Sequence, residues 1–475
     1  MCGRLQKVRE RMLDAISYLL AKKGVSLAEE AKKKPSAFYS VIVRKDAGVW
    51  AEDADGNTIA SGEAGVDDVA VIQSGINHIA SLGGGILLLS ANTFTFSDKV
   101  SINCDYISII GAGRGKTVIN GDPGTDKPYF ELVNDTTTPR KFITIADFTI
   151  DGSDRPSTGT QFSAAIWDEG DGDISYLIIE NMEIINSNPY AGCIQFENSS
   201  GSLNNVLIRN CYLETIHHSC YGLAFRKPTT YAFIINNKII MDHSDSYNNL
   251  ALYQDISHAF VAGNILISSG GHTPLAVSPG SYVNVIGNIV KASSDSGEGG
   301  IEVEWKSGHG TETSHHVNVI GNVVRNGNWG IYITRRDTSQ PFPYRVNIIG
   351  NVVENCAVGV YADGGTDIII SHNNVVNNTT SMSLSGLSNA IIEGNLGYVN
   401  KNGGTATFSG DGTTTQFSIA HGLVSTPTKV QVTPLTADAA GDFYVTADAT
   451  NIYINYLSPP ASGVDNVQVW WEGEV

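Results

Sequence analysis

Hydrophobic positions along this chain change their period three times. Leu5, Val8, Met12, Ile16 and Leu19 fall on one helical stripe with Lys and Arg on the other face, which predicts an amphipathic helix within residues 4–34. Its spacing suits a short coiled coil or docking onto the body of the protein. After Pro35, AFYSVIVRKDAGVWAEDADGNTIASG alternates as strands broken by an Asp-Gly turn. GVDDVAVIQSGINHIASLGGG then predicts a helix of about fifteen residues, started by Asp67 or Asp68 and stopped by three glycines, with the strand ILLLSANTFTF behind it.

From there to about residue 400 a repeat takes over. NVIGNIV at 284–290, NVIGNVV at 318–324 and NIIGNVV at 347–353 are its clearest copies. Taking one polar residue per unit as a marker gives Asp147, Asn181, Asn210, Asn237, Asn264, Asn288, Asn322, Asn351, Asn374 and Asn395. Each is flanked by short β-branched runs such as LIIENMEII and FIINNKII, strands too short for hairpin meanders at this spacing and too rich in Val and Ile for helices. A repeat of variable length built from strand, turn, strand and loop stacks best as a parallel β-helix, with its insertions in the loops. An asparagine at the same turn of every coil can pass amide hydrogen bonds from coil to coil. The repeated asparagines are therefore expected to be scaffold, not chemistry.

Beyond about residue 404 the text shifts to Thr, Ala, Asp and Pro with alternating strands, predicting a compact antiparallel module. The expected division is a helical segment at 1–36, a β-rich lead-in at 37–65, a parallel β-helix with capping helix at 66–402, and a β-sandwich-like module at 403–475, an all-β protein throughout its main body.

GVDDVAVIQSGINHIASLGGGILLL resembles the capping helix and first strand of the pectate-lyase-like right-handed β-helix superfamily, and ISIIGAGRGKTVI at 107–119 resembles its early-coil signature. The C-terminal module resembles the small β-domains appended to viral tail-fibre and tailspike proteins. The resemblance implies a right-handed parallel β-helix, and, with the terminal module, a tailspike-like homotrimer located in a virion or outside a cell. The N-terminal helix would then attach it to a virion or tail. It implies no single activity, since that superfamily holds lyases, hydrolases, epimerases and non-catalytic spikes.

Charge and cysteine content narrow the partners. With 30 basic against 48 acidic residues the net charge is −18, and such a field repels nucleic acid and anionic membrane surfaces. No signal peptide or membrane span is expected, since the apolar run near Ile16–Leu20 is short and flanked by charge. The six cysteines are scattered without metal-ligand spacing and read as buried thiols. GAGRGKT leaves three residues between Gly111 and Gly115, where a phosphate loop needs four, so it reads as a glycine turn. No cofactor or metal is expected, with a structural or substrate-bridging calcium ion left open.

Aligning the strand that opens each coil places Ile166, Ile194, Leu223, Leu250, Leu275, Ile301, Ile331 and Val360 inward. The first outward column is then Trp167, Gln195, Ala224, Ala251, Ala276, Glu302, Tyr332 and Tyr361; the second is Glu169, Glu197, Arg226, Tyr253, Ser278, Glu304, Thr334 and Asp363. Carboxylates beside aromatic rings suit sugars, the rings stacking on pyranose faces while the carboxylates accept hydroxyl hydrogen bonds. The alanines at 224, 251 and 276 would make a floor that a ligand approaches closely. The expected ligand is a polysaccharide, held by Glu197, Arg226, Tyr253, Trp305, Lys306, Tyr332, Arg335 and Tyr361.

Glu302 and Glu304 share this face at about 7 Å, and Asp363 stands two coils from Glu304, about 10 Å away. These are the catalytic candidates, because inverting glycosidases hold a water between carboxyl groups about 6.5–9.5 Å apart. Lys306, Arg335, Arg336, Arg226 and Lys227 are expected as a cationic rim able to hold uronate carboxylates. That opens a lyase or epimerase reading, with Tyr253, Tyr332, His217, His218 or His272 removing the proton. The Asp-Pro-His run of the epimerases and the clustered aspartates of calcium-dependent pectate lyases are both missing. His315 and His316 are expected to stabilise or solvate a loop. Glycoside hydrolysis, uronate elimination and a non-catalytic adhesin are the three functions this face allows.

Overall fold

The computed structural model describes residues 39–124, 126–155, 164–186, 192–197, 200–216, 220–243, 247–270, 272–293, 299–305, 313–336, 338 and 340–475. The expected N-terminal helix lies outside the described residues, as do His217, His218 and Lys306.

The lead-in strands Val41–Lys45, Gly48–Asp53 and Thr58–Glu63 pair antiparallel, and the first of them also pairs parallel with Gly85–Leu89. The lead-in is thus the opening layer of the main sheet. A helix at Asp68–Ser81 follows and buries Val71, Ile72, Ile76 and Ile79 against the first coil. Its start is fixed by Asp68, which is fully buried and accepts from Gly65 N (2.9 Å), Thr95 N (2.6 Å) and Lys45 Nζ (2.6 Å).

From Gly85 on, the strands described in the main body pair with one another in parallel. A representative coil runs Gly192–Phe196, Leu203–Arg209 and Tyr212–Thr215 before Tyr221–Phe225 opens the next. The inward positions Ile166, Ile194, Leu223, Leu250, Leu275, Ile301, Ile331 and Val360 pair in one column and are completely buried, as the alternation predicts. Val, Ile and Leu recur there because each coil can bury its apolar side chains only against its neighbours. The coils are right-handed.

The asparagine ladder exists, shifted by one residue in part of the chain. Asn237, Asn264, Asn288, Asn322, Asn351, Asn373 and Asn395 form it. From Asn264 onward each Oδ1 accepts both the backbone N–H and the Nδ2 of the preceding member at 2.9–3.0 Å, and Asn237 Oδ1 accepts the Cys211 N–H at 2.9 Å. Asp147, Asn181 and Asn210 instead occupy the position before the rung, with φ of 63°, 53° and 54°. Asn374 is the residue after it. Two adjacent sites favour asparagine for different reasons, one because it tolerates a left-handed backbone and the other because it satisfies buried backbone groups.

Residues from Lys401 onward form two three-stranded antiparallel sheets. Phe417, Ile419, Ile452, Ile454, Val467, Val469 and Trp471 pack between them.

Candidate functional site

The outward columns have the expected register: Ala224, Ala251, Ala276, Glu302, Tyr332 and Tyr361 pair in sequence, and Glu304 pairs with Thr334. The expected exposure does not follow. Ala224, Ala251 and Ala276 are fully buried under Tyr253 and the edge of Tyr221, so the alanine floor is occupied by the protein's own rings. Tyr253 donates to Asn248 Oδ1 (2.7 Å), Asn248 Nδ2 to the Thr273 carbonyl (2.5 Å), and the Thr273 hydroxyl lies 2.6 Å from Tyr332 Oη. Small outward residues made room for a polar seam across three coils.

Glu302 and Glu304 come next on the face and are buried, at 2% and 1% exposure. Both meet one guanidinium, that of Arg336, which lies just beyond the strand Trp329–Arg335 of the next coil. Arg336 Nε donates to Glu304 Oε2 at 2.7 Å, and Nη2 to Glu302 Oε1 at 2.9 Å. The same Nη2 is 3.5 Å from Tyr332 Oη. Arg336, expected on a rim for substrate carboxylates, therefore serves the protein's own. Packing two carboxylates this closely without a cation would be prohibitive, and a planar guanidinium can face both at once. Backbone register sets Trp305 beside Arg335.

Asp363 stands two coils from Glu304 with Thr334 between them; Thr334 Oγ1 donates to Asp363 Oδ2 at 3.2 Å. Its Oδ1 is buried without a hydrogen-bond partner. Burial pushes this carboxyl above the ordinary aspartate range, with Thr334 and Arg335 pulling it back only in part. Tyr361 is beside it, its phenol raised by burial and then by the Asp363 charge. The Trp329 ring packs between Tyr332 (5.1 Å) and Tyr361 (5.3 Å).

At the other end of the face Arg226 Nη1 donates to Glu197 Oε1 at 2.7 Å, and Gln195 donates to the same oxygen. Glu169 is raised by burial and then by the charges of Glu197 and Glu131. Arg335 donates to the Gln340 carbonyl (2.6 Å) and lies over the Phe342 ring at 4.1 Å. Lys227 departs furthest from the expected rim. It points into the coil, fully buried, with Nζ 3.0 Å from Asp168 Oδ2 and 2.7 Å from the Gly170 carbonyl. Asn134 Nδ2 completes the carboxylate's shell at 2.7 Å. A lysine at a strand end turns inward here because an aspartate occupies an inward position, in register with Phe196.

Three aromatic groups missed by the column alignment border this face. Tyr221 and Tyr247 stack at 4.9 Å, and the Tyr247 ring is 5.2 Å from His272. They sit just before or at the start of the strands, outside the alternating positions, so no periodic signal marks them. His315 and His316 lie with Tyr282 and Tyr344 in a ring stack, their Nδ1 atoms 2.8 Å apart.

Among the described residues no group of three or more His, Cys, Asp and Glu side chains is placed to hold a metal ion. Nor is any helix among them long and apolar enough to cross a membrane.

Comparison with known proteins bears on the fold. A family model described as NosD, periplasmic copper-binding protein, matches residues 287–420. No curated protein matches the chain. Among solved structures, the chain is similar to the A-module of the mannuronan C-5 epimerase AlgE6 of Azotobacter vinelandii, at 16% identity and TM-score 0.53, covering 70% of this chain and 96% of that one. It is similar to an exopolygalacturonase of Thermotoga maritima at 14% identity and TM-score 0.52, covering 68% and 87%. A DFA-IIIase of Arthrobacter chlorophenolicus A6, solved with DFA-III, matches at 13% identity and TM-score 0.50, covering 68% and 84%. The chain carries the right-handed parallel β-helix fold of these structures, with a small antiparallel C-terminal module.

Proposed function

We propose that this chain binds a polysaccharide along the outward face of its coil-opening strands and hydrolyses it, with Asp363 as general acid and Glu304 as general base. The observation that carries this reading is the placement of Glu304, Thr334 and Asp363 on successive coils of one face. Two coil steps are about 10 Å between backbones, which accommodates the carboxyl spacing of about 6.5–9.5 Å in inverting hydrolases. Asp363, whose carboxyl burial pushes above the ordinary aspartate range, gives its proton to the glycosidic oxygen as the bond to the anomeric carbon breaks. Glu304 takes a proton from the water that attacks that carbon from the opposite side. Glu302 holds Arg336, whose side chain is 34% exposed, and Arg336 turns from Glu304 toward the substrate to open the base. Glu197, Arg226, Trp305, Lys306, Arg335 and Tyr361, with Tyr247 at the border, supply the flanking sugar contacts; Tyr253 and Tyr332 shape the wall. The test is release of reducing ends from a panel of neutral and acidic polysaccharides, lost in Glu304→Gln and Asp363→Asn.

One contact favours a second reading. Arg336 Nη2 and Tyr332 Oη, 3.5 Å apart, are the cation and phenol that elimination from a uronate polymer uses. Arg336 would neutralise the substrate carboxylate while Tyr332, as phenolate, takes the proton from the carbon beside it; the glycosidic C4–O bond breaks, its oxygen leaves with that proton, and the C4–C5 double bond formed absorbs in the ultraviolet. Reducing ends without that absorbance favour hydrolysis, and the absorbance favours elimination. Binding with neither product makes the chain an adhesin.

The tailspike-like reading adds a homotrimer attached to a virion or displayed outside a cell. The exposed Leu396 and Ile391 of the last coil are apolar surface that neighbouring copies would cover. Light scattering of the full chain tests it, and a monomer would overturn it.

A further inference from the structure

A second polar groove lies away from the Glu302 face, at the turn between the second and third strands of successive coils. It has a volume of about 640 Å³ and is lined by Arg114, Asn181, Asn210, Tyr212, Asn236 and Lys238, with Asp147 at one end. The loop GAGRGKT, unused by the reading above, supplies Arg114 to its lining. Gly113 N–H donates to the Asp147 carbonyl (2.8 Å), Gly115 N–H to Thr149 Oγ1 (2.9 Å) and Ala112 N–H to Thr117 Oγ1 (2.8 Å). Gly113 and Gly115 have φ of 124° and 68°, values that let so tight a loop close. The loop extends Arg114 over the groove, where its Nε donates to the Asn181 carbonyl at 2.9 Å. That bond fixes the guanidinium plane and leaves both Nη groups available.

The side chains along the groove are not required by the backbone. Asp147, Asn181, Asn210 and Asn236 all sit at left-handed turn positions, with φ of 53–63°. In the next four coils the same position is Gly263, Gly287, Gly321 and Gly350, with φ of 63–66°. Glycine meets the same conformational demand, so the backbone does not by itself require a carboxamide along the groove. They present donors and acceptors at coil spacing, with Asn210 Nδ2 3.4 Å from Asn181 Oδ1. Lys238 closes the far end with its Nζ 5.2 Å from the Tyr212 ring centroid. The register Glu183, Tyr212, Lys238 puts it two coil steps, about 10 Å, from the coil that anchors Arg114.

We propose that this groove binds a segment of carboxylate-bearing polysaccharide lying along the helix axis. Arg114 and Lys238 take carboxylates roughly one disaccharide apart, and the carboxamides between them take ring hydroxyls. Arg114 offers a planar pair of donors to a carboxylate, and Lys238 a point charge held over an aromatic ring. The site is separate from Glu302, Glu304 and Asp363 and does not depend on their chemistry.

The test is calorimetric titration of the full chain with a galacturonate hexamer and, separately, a neutral glucan hexamer. It uses wild type, Arg114→Ala with Lys238→Ala, Asn210→Gly, and Glu302→Gln with Glu304→Gln. The proposal expects the charge double variant to lose affinity for the galacturonate hexamer by about tenfold or more, with unchanged melting temperature and weaker salt dependence. Asn210→Gly, which keeps the turn conformation, should lose affinity less. A second binding event in the galacturonate titration should survive the glutamate substitutions. Failure of wild type to bind the galacturonate hexamer overturns the proposal. So does equal binding by wild type and the charge double variant, or binding of the neutral hexamer that falls equally in that variant. Loss of turnover alone in the glutamate variants bears on the hydrolytic site and not on this one.

Discussion

Arg336 Nε donates to Glu304 Oε2 at 2.7 Å, across the boundary between two coils, while Nη2 of the same guanidinium holds Glu302. The arginine is the countercharge that lets two glutamates share a covered face. Replacing it, in Arg336→Met, leaves both carboxylates buried without a cation. Because the arginine is itself partly exposed, the expected loss is about 1–3 kcal/mol, below that of a fully buried pair. Urea denaturation measures it, and adding Glu302→Gln and Glu304→Gln to Arg336→Met should restore most of the stability. No recovery would mean that the guanidinium stabilises by packing and not by charge.

Lys227 and Asp168 form the more deeply buried pair, both completely enclosed. Lys227→Met strands Asp168, whose carboxyl burial already pushes upward, and should cost about 3–5 kcal/mol. Lys227→Met with Asp168→Asn should lose less than the single variant. Equal losses would contradict an ion pair as the stabilising element.

The ladder gives a contrast between adjacent residues. Asn373→Ala removes the acceptor for Asn351 N–H and Nδ2 and the donor to the Ile348 carbonyl. With buried polar groups left unpaired, a loss of about 2–4 kcal/mol is expected. Asn374→Ala, one residue on, should cost less than about 1 kcal/mol, since Asn374 Oδ1 has no hydrogen-bond partner. Melting temperatures of the two variants separate them.

The columns, the coils and the scaffold role of the asparagines were legible because burial between coils forces a strict alternation on each strand. The ladder's phase was less so, since Asn210 and Asn237 belong to different turn positions yet read alike. Coverage of the outward face was not legible. It comes from the rings of Tyr253 and Tyr221 over the alanines and from Arg336 over the glutamates; Tyr221 and Arg336 lie outside the outward columns and have no period. The inward turn of Lys227 had one visible signal, the aspartate at 168 in a column of Phe196, Phe225 and Leu252. Reading that position as occupied by a charge would have required a cation inside the coil.

Asp363 makes stability depend on pH with a definite sign. Its folded-state pKa is raised, so between the ordinary aspartate value of about 4 and that raised value the native state holds more proton than the unfolded one. Stability from this group is fully present below that window and falls as pH rises through it. Asp363→Asn should therefore melt at the same temperature as wild type, or slightly higher, near neutral pH, with a shallower decline across the window. A variant less stable than wild type at neutral pH would contradict the account.

The most direct test is the hydrolysis rate of Glu304→Gln and Asp363→Asn against wild type, on whichever polysaccharide in the panel the wild type cleaves, with folding verified by melting. Each substitution is predicted to lower the rate by about a hundredfold or more, the usual scale for a general acid or base. Turnover within about twofold of wild type in either folded variant would contradict the assignment of that residue to the chemistry.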